Sequence, residues 1–289
     1  MAKTMNVGLV GLGYIGKIHA NAYRNIPVCF PDTPLTVNLK GVLRSQLDTY
    51  STLMDELGFD LRTTEPDTFF GTDFDVVDIC TPNRLHLEQV RMAAEAGRSI
   101  YLEKPMGMDL DEARQMAALA AEHDLKTHMA FVFRYAPAVR QMKVLIESGE
   151  IGEVYNFRAR YLHGSYVDPM RPMSWRLRWA DSGGGAFADL GSHGIDMIRY
   201  LLGDVASVKA EMRTFITQRP EAPGSTDMET VDVDDWMMCF MEMKNEAVGW
   251  LEVSRMAAGV EDTTMVEIFG TKGALRFHFN QPDLVDIFD

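Results

Sequence analysis

Cysteine is scarce. Cys29, Cys80 and Cys239 are the only three in 289 residues, odd in number and far apart. That excludes a disulfide framework and a zinc-ligand cluster of cysteines, and it favours a reducing compartment. Basic residues are also short, 28 against 42 acidic, for a formal charge of -14. Such a field repels phosphate backbones and anionic bilayers, so neither nucleic acid nor a membrane is an expected partner. Long apolar runs are missing too. The run Val7 to Ile15 is studded with Gly8, Gly11 and Gly13 and is followed by Gly16, Lys17 and His19, which suits neither a membrane span nor a secretory leader. A soluble cytoplasmic protein is expected. What remains is 46% hydrophobic, enough for two domains with separate cores.

The first 128 residues alternate short apolar runs with helical patterns, the signature of crossover units that build a parallel sheet. Strands are expected at Asn6–Val10, Leu35–Leu43, Val76–Cys80 and Ser99–Leu102. Helices are expected at Tyr14–Arg24, Gln46–Leu57, Leu85–Ala96 and Leu110–His123, the last opened by Asp109. Pro27 to Pro34, with three prolines in eight residues, reads as a loop. The expectation for residues 1–128 is a Rossmann-type, doubly wound α/β domain that binds a dinucleotide.

Residues 129–289 have a different texture. After one more strand to Phe133 and a helix from Ala138 to Glu147, most of the segment is β-rich, with strands expected at 155–162, 205–216, 236–243, 248–256, 265–269 and 274–279. Turns at Lys244-Asn245-Glu246 and Thr271-Lys272-Gly273 mark hairpins, so a large, mainly antiparallel open sheet is expected. One helix, Leu190–Leu202, interrupts it. The acidic cluster Asp227 to Asp235 reads as a solvated loop.

Gly11-Leu12-Gly13-Tyr14-Ile15-Gly16 sits between the first strand and the first helix. Gly11 allows a tight turn, Gly13 lets a pyrophosphate approach the backbone, Gly16 lets the helix pack closely, and the N–H groups of this turn face the phosphates. The second strand ends in Leu43-Arg44-Ser45, with no carboxylate to accept from an adenosine ribose. Arg44 with Ser45 suits a 2′-phosphate instead, giving a slight preference for NADP over NAD. Thr81-Pro82-Asn83 with His86, and Glu103-Lys104-Pro105, lie at the carboxyl ends of later strands, the rim where ligands bind in such sheets. His86 is read equally as a ligand contact and as a cap of the helix after it. In the second domain Asp189 and His193 are four apart and share a helix face, a carboxylate positioned to orient a histidine that exchanges protons near neutral pH. Gly191 and Gly194 keep that stretch slim.

In order along the chain, these motifs resemble the glucose-fructose oxidoreductase, inositol dehydrogenase and rhizopine-catabolism family of NAD(P)-dependent dehydrogenases. The resemblance also rests on Phe133-Arg134-Tyr135-Ala136-Pro137, Gly149-Glu150-Ile151-Gly152 and Ser174-Trp175-Arg176. It implies hydride transfer between nicotinamide and a carbinol carbon of a sugar or cyclitol. It brings Lys104, Asp189 and His193 together at a domain cleft, with His193 as general base, Asp189 as its orienting partner and Lys104 as the cation on the developing alkoxide. Trp175 and Arg176 resemble a pair that reaches the nicotinamide end, and Arg134, Tyr161 and His163 are substrate-contact candidates. No metal is implied. A homo-oligomer, dimer or tetramer, is expected through the open sheet. Measured against many relatives the chain stops early, and Leu284 to Phe288 reads as a strand cut near its end. Two other functions fit the same architecture: a dinucleotide-sensing regulator without turnover, and a cofactor-assisted glycosidase or lyase.

Overall fold

The computed structural model describes residues 3–289. The backbone divides into one unit that ends at Ala130 and a second, Phe131–Asp289. In the first, β1 (Lys3–Val10), α1 (Tyr14–Cys29), β2 (Leu35–Leu43), α2 (Ser51–Leu57), β3 (Leu61–Thr63), α3 (Pro66–Phe70), β4 (Val76–Ile79), α4 (His86–Glu95), β5 (Ser99–Leu102), α5 (Leu110–Glu122) and β6 (Thr127–Met129) follow one another. The six strands are all parallel, in the order β3-β2-β1-β4-β5-β6. Strand order reverses between β1 and β4, which opens a crevice at their carboxyl ends. Two apolar layers flank the sheet. Val10, Phe69, Phe74, Ile79, Val90 and Met116 form one, and Val7, Leu9, Ala20, Val42 and Met54 the other. Buried on both faces, these strands read as near-continuous apolar runs.

Three details differ from the sequence expectation. The helix α1 runs on through Pro27 to Cys29. Pro27 stands in its last turns, where a missing N–H removes one bond from a helix about to end, and Phe30 N–H still reaches the Ile26 carbonyl at 2.8 Å. The helix expected from Gln46 starts only at Ser51, after Tyr50 turns the chain at φ 67. The strand β3 and the helix α3 are additional; a three-residue strand is too short to show a period.

The second unit holds α6 (Pro137–Glu147), β7 (Val154–Leu162), α7 (Trp179–Ser182), α8 (Ser192–Leu202), β8 (Val205–Arg213), β9 (Gln218–Pro220), β10 (Met228–Thr230), β11 (Trp236–Met243), β12 (Val248–Ser254), β13 (Thr263–Gly270), β14 (Ala274–His278) and β15 (Val285–Phe288). Its large sheet runs β15-β14-β13-β7-β12-β11-β8, antiparallel except for the β7–β12 pair. Helices α6 and α8 cover one face, where Val139, Met142, Met197 and Leu201 pack on Phe157, Leu251, Val253, Ile268 and Phe277. Gly194 lets α8 approach, since a Cβ there would lie 2.7 Å from Leu251. The slimness of this stretch therefore serves packing of helix on sheet.

Strand β6 stops at Met129, short of the expected Phe133, because Val132–Tyr135 turns as a 3-10 helix; β8 and β12 also end earlier than expected, each for a visible reason. The Asp235 carboxylate takes the N–H groups of Phe215 at 2.8 Å and Ile216 at 3.1 Å, which pulls the chain out of β8. Ser254 Oγ accepts from Met256 N–H at 3.0 Å and turns the chain after β12. The acidic cluster is thus a set of backbone acceptors and not simply a solvated loop. Asp234 alone receives Gly185 and Phe187 N–H on its carboxylate and Ala186 N–H on its carbonyl, seating the segment that leads to Asp189.

Candidate active site

In each unit the candidate residues start from backbone geometry. In the first unit Gly11 has φ +90, and its N–H donates to Leu43 O at 2.8 Å. A Cβ on Gly16 would stand 2.1 Å from Gly11 O, so helix and turn touch directly. Gly13 is the opposite case: nothing lies within 4 Å of where its Cβ would be, and it is exposed with Tyr14 beside it, while Ile15 is half-buried. Helix α1 has no side-chain cap and no acidic residue in its first turn. Open backbone before an uncapped helix start is a cradle for an anion, so these residues fit a dinucleotide pyrophosphate.

Around this turn stand the other rim residues. Arg44 hydrogen-bonds the Thr49 carbonyl and lies 5.0 Å from the Tyr50 ring, which Lys17 also approaches at 4.6 Å; Ser45 is exposed beside it. Thr81 Oγ1 donates to Gln89 Oε1 at 2.6 Å, Pro82 is half-buried and Asn83 is buried. His86 is wholly buried. Its Nδ1 faces the carbonyls of Pro105 at 3.1 Å and Met106 at 3.2 Å, and its Nε2 faces that of Thr81 at 3.0 Å. That corrects the assignment of His86 as a cofactor contact: no surface is left for a ligand, and the ring ties two rim loops together. Burial holds its pKa below the usual histidine value.

Sequence reasoning missed the group behind the rim. His19 of α1 is buried, with Nδ1 2.9 Å from Asp78 Oδ2 and Nε2 3.1 Å from Glu103 Oε1. Tyr23 donates to the same Asp78 oxygen at 3.0 Å, and the imidazole stacks on Tyr101 at 5.2 Å. Burial alone would lower the His19 pKa, but the hydrogen bonds and charges of Asp78 and Glu103 overcome it and raise the value to about 9. Cys80 Sγ is 3.2 Å from His19 Nδ1, and burial, then the Asp78 charge, push its thiol pKa up.

In the second unit Asp189 falls within a π-helical turn, Phe187–Gly191, that runs into α8, where His193 occupies the first turn. Such turns recur at functional sites. Arg255, 1% exposed, donates Nη2–H to Asp189 Oδ2 at 2.9 Å and Nη1–H to the Arg176 carbonyl at 3.3 Å, with its guanidinium 5.0 Å from the Tyr166 ring. The His193 ring stacks on Phe133 at 4.7 Å, with Phe131 at 6.2 Å and Tyr161 at 6.3 Å. Phe279 extends this wall, 4.8 Å from Phe133. Neither Arg255 nor Phe279 was marked by the sequence, because each meets its partners only through the sheet.

The remaining candidates take more local roles. Arg134 forms a bidentate pair with the buried Asp196, Nε to Oδ2 at 2.6 Å and Nη2 to Oδ1, which ties the Val132–Tyr135 turn to α8. Burial raises the Tyr161 pKa, and burial followed by the Arg255 charge lowers that of His163. His163 Nδ1 also meets Ser165 Oγ at 2.9 Å. The Arg176 guanidinium lies over the Trp175 indole at 4.4 Å.

Comparison with known proteins matches both units. Residues 5–131 fit the model of the oxidoreductase family with an NAD-binding Rossmann fold, and residues 139–276 that of the GFO/IDH/MocA C-terminal domain. Levoglucosan dehydrogenase of Pseudarthrobacter phenanthrenivorans is 35% identical, over 99% of this chain and 76% of that protein. The scyllo-inositol 2-dehydrogenase (NAD(+)) of Bacillus subtilis is 28% identical over 95% of this chain and 74% of its own length. A solved structure of levoglucosan dehydrogenase in complex with NADH and levoglucosan superposes with a TM-score of 0.94 at 35% identity, covering 99% of this chain and 76% of that one.

Proposed function

Because the chain belongs to the GFO/IDH/MocA family of oxidoreductases, we infer that it moves a hydride between a nicotinamide dinucleotide and a hydroxyl-bearing carbon of a cyclic sugar or cyclitol. The observation that carries this reading is the contact of buried Arg255 with half-buried Asp189, in whose segment His193 follows, walled by Phe131, Phe133 and Tyr161. An acid–base group among aromatic rings suits a polyol ring, which offers hydroxyls at its edge and C–H groups on its face.

When bound, the nicotinamide supplies the redox step. The chain's own residues supply the proton chemistry. In oxidation the substrate hydroxyl proton passes to an imidazole nitrogen of His193. Asp189, held in place by Arg255, favours the imidazolium that results, and the Lys104 ammonium stabilises the developing alkoxide. His163, its pKa lowered, is a neutral hydrogen-bonding group for a sugar hydroxyl, and Tyr161 is a second. Trp175 and Arg176 belong to the nicotinamide end. In this reading residues 1–128 hold the dinucleotide and 129–289 the substrate. NADP is accepted at least as well as NAD, because Arg44, Lys17 and Ser45 lie where β2 ends. Among the described residues no helix is long and apolar enough to cross a membrane, and we place the enzyme in the cytoplasm, as a dimer or tetramer joined through its bare sheet face.

The test is a panel of cyclic sugars and polyols with NAD or NADP, following the absorbance of reduced nicotinamide. Turnover that falls about 10²- to 10⁴-fold in His193→Ala, with dinucleotide affinity retained, is the expected result. Dinucleotide binding without turnover of any member would favour the sensor, and reduced nucleotide that never accumulates while sugar is cleaved would favour the lyase.

A further inference from the structure

The turn that carries Lys104 is held at more points than a strand-end loop needs. Glu103 N–H continues the sheet to Ile79 O at 3.0 Å, and Glu103 Oε2 accepts from Lys104 N–H at 3.1 Å. The other carboxylate oxygen, Oε1, faces His19 Nε2 at 3.1 Å. Beyond the lysine, the carbonyls of Pro105 and Met106 face His86 Nδ1. The second nitrogen of His19 is anchored on Asp78, and that of His86 faces the Thr81 carbonyl.

We propose that His19 and His86 are positioning residues that clamp the Glu103–Lys104–Pro105 turn from its two sides and so set where Lys104 presents its ammonium. A lysine side chain is long and flexible, so the place of its charge is only as well defined as its backbone. His19 stands two turns into the helix that begins at the glycine turn, and His86 opens α4. The clamp therefore links the phosphate-binding turn, the Thr81 loop and the lysine through two imidazoles. His19, Asp78 and Cys80 could also be imagined around a metal ion. Their spacing argues otherwise: Nδ1 and Oδ2 are 2.9 Å apart, a hydrogen-bond length, whereas two such ligands of a tetrahedral zinc stand about 3.3 Å apart.

The inference rests on the reading of Lys104 as a group at the reacting centre, but its test does not need a substrate. Amide hydrogen exchange of the free protein, read by mass spectrometry on peptides spanning 103–108, reports the Lys104 N–H directly. In His19→Leu, exchange there should accelerate roughly tenfold, the worth of a charge-assisted hydrogen bond, while peptides of β1 and β4 stay protected. His19→Gln, which keeps one donor, should recover part of the protection. If His19 acts through Glu103, the effects of His19→Leu and Glu103→Gln should not add. With a substrate in hand, kcat should fall about 10- to 100-fold with the dinucleotide KM little changed. A second arm, His86→Gln, should loosen the same peptides without disturbing α1. Unchanged exchange at 103–108 in both variants would overturn the proposal, as would loosening spread evenly over the whole first unit. Stoichiometric zinc in the purified protein, lost on Cys80→Ser, would overturn it too.

Discussion

Arg255 and Asp189 are 66 positions apart in sequence, yet the guanidinium of one, 1% exposed, meets the carboxylate of the other at 2.9 Å. The arginine stands just beyond the end of β12, and its backbone N–H is held by Asp235 O at 3.0 Å. A buried cation with one close carboxylate fixes the orientation of that carboxylate. Replacing Arg255 with Met should lower stability by about 1–3 kcal/mol, since the Asp189 side chain keeps some solvent access. Turnover should fall more than tenfold while the dinucleotide Kd is unchanged. Urea denaturation and steady-state rates, measured side by side, separate the two effects.

His19 gives a pH signature. Its pKa is raised to about 9 in the fold from an ordinary 6.5, by Asp78 and Glu103 against the opposing effect of burial. The protonated form is thus favoured by folding. The stabilisation is fully present below about pH 6.5 and is lost as pH rises through about 9, on the order of 3 kcal/mol in all. Melting temperatures of the wild type should drop from pH 7 to pH 9.5 more steeply than those of His19→Gln. Parallel curves would show that the imidazole carries no charge in the fold.

Two glycines of the turn, Gly13 and Gly16, should separate binding from folding. Gly13→Ala adds a methyl group to open space on the ligand side, so the melting temperature should hold while NAD and NADP affinity falls at least about tenfold. Gly16→Ala drives a methyl group into Gly11 O and should destabilise the protein by about 1–3 kcal/mol. Fluorescence titration and thermal melts on the pair make the comparison.

Changing Arg44 to Asp places a carboxylate at the end of β2. NADP affinity should fall by about 2 kcal/mol or more through loss of the cation and direct repulsion, and NAD affinity should hold or improve. Equal losses for both nucleotides would remove the 2′-phosphate assignment.

The face of the large sheet opposite α6 and α8 carries Trp236, Met238 and Phe240 along β11, with Phe240 58% exposed. Multi-angle light scattering of the wild type should give a dimer or tetramer at micromolar concentration, and Phe240→Glu should shift it to a smaller species without loss of helix content. A wild-type monomer would rule this face out as a self-association surface.

How much of this was legible in the sequence depended on distance along the chain. The strands β2, β5 and β11 appear at their expected ends, because apolar continuity or strict alternation of two is a local signal. Asp109 capped α5 as read, accepting from Glu112 N–H at 2.9 Å. The glycine turn was legible for the same reason, since its three roles are set within six residues. His19 with Asp78, 59 positions apart, was not. A single histidine inside a helix has no local mark of the carboxylates that two other strands bring to it. The spacing of Asp189 and His193 was readable locally, whereas the arginine that meets Asp189 arrives just after β12. The ends of β8 and β12 were overestimated because Asp235 and Ser254 hydrogen-bond the backbone there, and such competition has no period to read.

The edge strand β8 is exposed along nearly its whole length, and an unpaired strand edge is an invitation to runaway polymerisation. Its side chains argue against that fate. On the bare face Lys209 stands beside Phe240, Glu211 beside Met238 and Arg213 beside Trp236. Copies stacked in register, as in a fibril, would lay Lys209 on Lys209, Glu211 on Glu211 and Arg213 on Arg213, an electrostatic ladder of like charges that opposes growth. The border of the sheet is in this sense a safeguard against polymerisation.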